Sequence, residues 1–98
     1  MYPEDIERWI NEKFAEPERA KAALAPLAGM EFQRERVMRS ILSLSESDYD
    51  SVVAWARKAK ANPKHVIGLA EYDNREVRKF NFHNELFSQK PYSYTDEA

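Results

Sequence analysis

The sequence predicts an all-α fold: a compact bundle of about five short helices plus a C-terminal helical or irregular aromatic segment. Three observations carry this. Apolar residues recur at three- and four-residue spacing as far as Ala70. Proline, acidic and Asn-Pro punctuation divides that stretch into helix-length pieces. Only two glycines occur in 98 residues, too few for a turn-rich β sandwich. A chain of this length buries about 65% of its unfolded surface, enough for one core. The expected organisation is a single domain over 1–88 followed by a mobile polar and acidic tail over 89–98.

Pro3-Glu4-Asp5 opens the first helix, because proline suits the first helical position and acids complement the positive end of the helix dipole. Ile6, Trp9, Ile10 and Phe14 then form one apolar stripe, and the helix runs over about 3–14. Glu16-Pro17-Glu18 repeats the start signal. Ala20, Ala23, Leu24 and Leu27 make a second stripe of mostly small side chains, kinked or stopped near Pro26 and closed by Gly29. A third helix over about 30–44 aligns Met30, Val37, Ile41 and Leu44, with Phe32 capping the core end. Arg34, Arg36 and Arg39 fall on its polar side and read as a solvated, salt-bridged face.

Ser45 with Asp48, or equally Ser47 with Asp50, fits a capping box for the fourth helix. That helix carries Tyr49, Val52, Val53, Ala56 and Ala59, with Trp55 on the flank. Asn62-Pro63 ends it and starts a short fifth helix presenting Val66, Ile67 and Ala70, weakened by Gly68. Tyr72-Asp73-Asn74 is a turn, and Val77 and Phe80 suggest one or two further helical turns. From Phe80 to Phe87 the period fails, leaving irregular chain pinned by its aromatics.

Composition excludes several chemistries. Without cysteine there are no disulfides, thiolate metal sites or thiol nucleophiles. The glycine shortage removes nucleophile elbows, phosphate loops and dinucleotide fingerprints. No apolar run reaches membrane-spanning length, and the acidic N-terminus is unlike a signal peptide, so a soluble cytoplasmic protein is expected. His65 and His83 have no partner at metal-ligand spacing, and no cofactor is implied. Glu71 is the one candidate acid–base group, since burial beside Ala70 and Tyr72 would raise its pKa. No catalytic motif is present, so no enzymatic role is expected.

Two binding readings remain. The preferred one is protein association, with self-association into a homodimer as one form of it. Its anchors are the aromatics Trp55, Phe82, Phe87, Tyr92 and Tyr94, residue types that dominate interfaces. The alternative is nucleic-acid or anion binding through Arg57, Lys58, Lys60 and Lys64, followed by Arg75, Arg78 and Lys79. Residues 51–80 hold seven basic and three acidic side chains, a local +4 in a chain of net charge −2. The fourth and fifth helices also have the outline of a helix-turn-helix, although the fifth is short and largely apolar where a recognition helix is polar.

Overall fold

The computed structural model describes residues 2–72 and 78–88. Five α-helices form in the expected order: α1 (Glu4–Lys13), α2 (Pro17–Leu24), α3 (Arg34–Ser45), α4 (Tyr49–Ala61) and α5 (Pro63–Glu71). A 3-10 turn over Ala25–Leu27 follows α2, and another over Leu86–Ser88 lies near the end of the described chain. The fold is all-α, and no strand occurs among the described residues. The turn expected at Asp73-Asn74, the helical turn at Val77 and the tail at 89–98 lie outside them.

Local chemistry accounts for most of the helix boundaries. Pro17 and Pro63 occupy first helical positions, where the missing N–H has no intrahelical acceptor to lose. Pro26 cannot sustain the α2 ladder, and the chain tightens there into its 3-10 turn. Asn62 is shared. Its backbone N–H closes α4 on Lys58 O at 2.8 Å, and its Oδ1 accepts the His65 N–H at 3.2 Å to cap α5. The two helices therefore join through a single residue. A helix-turn-helix needs a turn of three or four residues, so that outline is not realised here.

Three local expectations are corrected. First, α3 starts at Arg34, about a turn later than periodicity suggests. Met30 N–H bonds back to Leu27 O, and Gln33 takes a left-handed φ of 42°, which breaks the helix before Arg34. Phe32 is consequently 37% exposed and does not cap the core. Second, the cap of α4 is Asp48, whose carboxylate accepts Ser51 N–H at 3.0 Å and Ser51 Oγ–H at 2.7 Å. Ser45 instead ends α3, and Glu46, at φ 58°, reverses the chain before the cap. Third, Phe80 is not helical: Tyr72 and Arg78 form an isolated antiparallel bridge, and the following chain runs irregularly to Leu86.

The core is the helical stripes brought together. α3 packs against α4 and α5, and α4 packs against α2 and α5. Ile6, Ile10, Leu24, Leu27, Val37, Ile41, Leu42, Val52 and Val66 are fully buried. Each contributes about 1.5–3 kcal/mol of burial. One side of this cluster is closed by residues 78–88, which insert Phe82 and Leu86 into it.

Candidate functional site

Two features of the surface are chemically distinctive. One is the seam where residues 78–88 meet α1, α3 and α5. The other is the outer face of α4 and α5.

The seam is built on two buried carboxylates, each gripped by an α3 arginine. Glu71, at the end of α5 and fully buried, accepts Arg36 Nε at 2.8 Å and Arg36 Nη2 at 2.7 Å. It also accepts Arg78 Nη2 at 2.9 Å and the Phe82 backbone N–H at 2.9 Å. Asp5, in the first turn of α1, accepts Arg39 Nε at 2.9 Å, Arg39 Nη2 at 3.0 Å and the Leu86 N–H at 2.9 Å. Arg39 Nη1 donates in turn to Phe82 O at 3.2 Å. Arg36 and Arg39 lie three apart on α3 and so share a face, which sets the clips side by side. The irregular segment has no ladder to satisfy its backbone, and these clips supply partners for buried N–H groups that would otherwise be costly.

Sequence reasoning placed Arg36 and Arg39 on a solvated face. Arg39 is instead 8% exposed and Arg36 is half-buried. The expected direction for Glu71 is likewise reversed. Burial by itself pushes its carboxyl up. The hydrogen bonds from Arg36 and the Phe82 N–H, with the charges of Arg36 and Arg78, outweigh that and hold it below the usual range. Asp5 follows the same logic: burial raises it, and the Arg39 and Leu86 bonds with the Arg39 charge bring it below its ordinary value. Both groups are ionised at neutral pH and fully engaged, which suits structure and not proton transfer.

The aromatics divide. Phe82 is 1% exposed, stacked on Phe80 with ring centroids 5.3 Å apart. It is a core residue and is corrected from the proposed interface set, because Phe82 N–H and C=O are both fixed by the clips. Phe87 remains 37% exposed, its ring against Trp9 at 5.6 Å and under the Arg8 guanidinium at 4.2 Å. Open grooves lie on both sides of this pair. One, of about 580 Å³, is lined by Glu4, Arg8, Asn11, Glu12 and Phe87 among others. The second, of about 340 Å³, runs along Trp9, Lys13, Ser43, Glu46 and Ser47. The Trp9 Nε1–H is buried and finds no acceptor among the described residues. Trp55 is half-buried on α4, with Lys58 Nζ 5.1 Å from its ring centroid. Tyr92 and Tyr94 lie outside the described residues.

The basic residues divide as well. Arg57, Lys58, Lys60 and Lys64 are exposed and make no ion pair with any described residue. Arg78 is spent on Glu71 and on Phe80 O at 2.8 Å, so it does not extend a free cationic surface. Lys79 is half-buried with its Nζ 6.0 Å from the Phe80 ring, and Arg75 lies outside the described residues. The structure thus separates the 57–64 group from Arg78.

His65 and His83 are both exposed. His83 lines an open groove of about 740 Å³ beside Arg34, Arg36 and Arg39, of which Arg36 and Arg39 are held by the clips. Among the described residues no group of three His, Asp or Glu side chains is placed to hold a metal ion. None of their helices is long and apolar enough to cross a membrane. No protein-family model, curated protein or solved structure matches this chain.

Sequence reasoning missed Asp5, Arg36 and Arg39 as a locking set, and Arg8 and Trp9 as the setting of Phe87. Asp5 fits a helix-dipole role and Trp9 a core stripe, so each already had a sufficient local explanation. Only the three-residue spacing of Arg36 and Arg39 hinted at a shared face.

Proposed function

We propose that this chain is a small cytoplasmic helical domain that acts without catalysis, by contact with another protein or a second copy of itself. The contact surface is the Trp9–Phe87 edge. One observation carries this reading. Phe87 stays exposed although its neighbour Leu86 is buried and anchored to Asp5. A fixed aromatic at a groove margin loses little entropy on binding, which is the property of an interface anchor. Trp9 and Arg8 flank it, and Lys13 lies over the Trp9 ring, residue types able to fill and frame such a contact.

Affinity capture from the native lysate, with nuclease treatment and quantitative mass spectrometry, tests the reading, together with light scattering on the pure protein. A stoichiometric protein partner or a dimer should survive nuclease and be lost in Phe87→Ala. Full retention in that variant, or recovery that collapses on nuclease treatment, sinks the proposed surface. The second reading, anion binding, is supported by the unpaired cations of α4 and α5. It predicts binding that weakens steeply with salt as counterions are released.

A further inference from the structure

Six of the thirteen described basic residues are ion-paired; of the other seven, Lys13, Arg34 and Lys79 stand apart in sequence and four cluster at 57–64. Arg8, Arg19, Lys21, Arg36, Arg39 and Arg78 all have carboxylate partners. Arg57, Lys58, Lys60 and Lys64 have none among the described residues, and the whole stretch 51–70 contains no acid. The helix dipole explains part of this, since cations suit the C-terminal end of α4. It does not explain Lys64, which stands in the first turn of α5, where a cation is disfavoured and no acid is present.

Helical geometry places these charges on an unpartnered face. Val52, Ala56 and Ala59 point α4 into the core. Ala54, Arg57, Lys58 and Ala61, at offsets 0, 3, 4 and 7, form the opposite stripe, and all four are exposed. Val53, 38% exposed, and half-buried Trp55 border it. The stripe therefore alternates methyl groups with cations, and its two alanines leave room for close approach.

We infer that this α4 face docks an acidic, apolar-bearing helical segment of a partner protein. The inference rests on the protein-binding reading above but assigns a second surface and the partner's chemistry. Charge complementarity supplies the sign: beyond Asp50 in the first turn of α4, the face carries Arg57 and Lys58, flanked by Lys60, with no acid from 51 to 61, and so selects carboxylates. The alanine positions supply the shape, since a helix laid along the stripe reaches the small residues with its apolar side chains. A nucleic acid fits less well. The α4–α5 junction lacks the turn that would project a recognition helix, and Trp55 is half-buried with Lys58 Nζ over its ring, where a stacked base would have to displace it. Arg78, already paired, adds no phosphate contact.

The test uses the full chain and three probes in fluorescence anisotropy at low and high salt. These are a fluorescent synthetic peptide of about four helical turns with Glu and Leu on one face, an all-Glu peptide of the same length, and a single-stranded oligothymidylate. The Glu/Leu peptide should bind tightest, and the double variant Arg57→Glu, Lys58→Glu should weaken it by about tenfold or more. Ala61→Arg separates charge from contact. It adds a cation but fills the approach, so it should weaken the Glu/Leu peptide while leaving the all-Glu peptide equal or tighter. The inference is overturned if oligothymidylate binds as tightly, if the charge reversals leave peptide affinity unchanged, or if the Glu/Leu peptide does not bind. Circular dichroism melting confirms that each variant is folded. Partner capture that survives in Arg57→Glu, Lys58→Glu but fails in Phe87→Ala would overturn this inference alone and leave the protein-binding reading standing.

Discussion

Arginine occupies helix surfaces in two quite different ways here. Arg36 and Arg39 on α3 are each bound bidentately to a buried carboxylate and help to hold the 78–88 segment. Arg57 on α4 is exposed with no carboxylate partner among the described residues. Both helices are amphipathic and all three arginines oppose an apolar stripe, so the side chain alone does not decide its role. What decides it is whether another element brings a carboxylate to the same place. Asp5 and Glu71 arrive from α1 and α5, 34 and 35 residues away in sequence. The lesson is that the cations of 57–64 stand out by clustering in a stretch without acid, since Lys13, Arg34 and Lys79 also lack a carboxylate partner among the described residues.

The sharpest test of that contrast is stability. Glu71→Ala strands Arg36 and Arg78 and leaves the Phe82 N–H without its acceptor. Removing one side of a buried ion pair costs about 3–5 kcal/mol. Arg57→Ala, by comparison, should stay within about 0.5 kcal/mol of the parent, as exposed substitutions usually do. Urea denaturation of the two variants measures both. A Glu71→Ala loss under about 1 kcal/mol would mean that the seam is open to water and that the clips add little.

The same contrast shows how far the sequence could be read. The five helices were legible because their signals are local: prolines at first turns, Asn62 as a shared cap, apolar stripes at helical spacing. The start of α3 was not. Met30 belongs to the periodic pattern, and only the backbone reversal at Gln33 excludes it from the helix. The cap of α4 was ambiguous because Ser45, Ser47 and Asp48 all have capping chemistry, and the choice depends on where α3 releases the chain. At the seam the sequence gives charges without partners. The sequence offers Glu71 as a carboxylate that burial beside Ala70 and Tyr72 would perturb, but its burial and the sign of its pKa shift depend on Arg36, Arg78 and the Phe82 N–H. Phe82 and Phe87 are indistinguishable by composition, yet one is core and one is surface, because the intervening chain follows no period that could be extrapolated.

A smaller effect follows from pH. Asp5 and Glu71 both have folded-state pKa values below those of the unfolded chain. The folded state therefore binds fewer protons in the acidic range. The stabilisation is complete above the ordinary carboxylate values of about 4 and is lost as pH falls through them toward the depressed folded values. Denaturation midpoints measured down the acid limb should fall in the parent and fall less steeply in Asp5→Asn and Glu71→Gln, which lack one titrating clip each. Arg57 has no carboxylate partner among the described residues, so Arg57→Ala should reproduce the parental slope. An acid limb with equal slope in all four proteins would show that carboxylates outside the seam control acid stability.

The smallest expected effect has opposite signs at the two levels it touches. His65 is the third residue of α5, exposed, and its backbone N–H is already held by Asn62 Oδ1. His65→Glu places an acid in a helical first turn that has none, and its carboxylate can reach back toward the Asn62 N-terminus of the helix. The change should raise stability by about 0.3–1 kcal/mol. It also introduces the only acid into the stretch 51–70, beside Lys64. The Glu/Leu peptide should therefore bind more weakly to a protein that is more stable. If the acid-free stretch reflected helix stability alone, no acid would need to be kept out of this first turn. A gain in stability with unchanged peptide affinity would mean that a charge in the first turn of α5 does not reach the α4 docking face, whereas a loss of stability would mean that this exposed turn is not governed by its dipole.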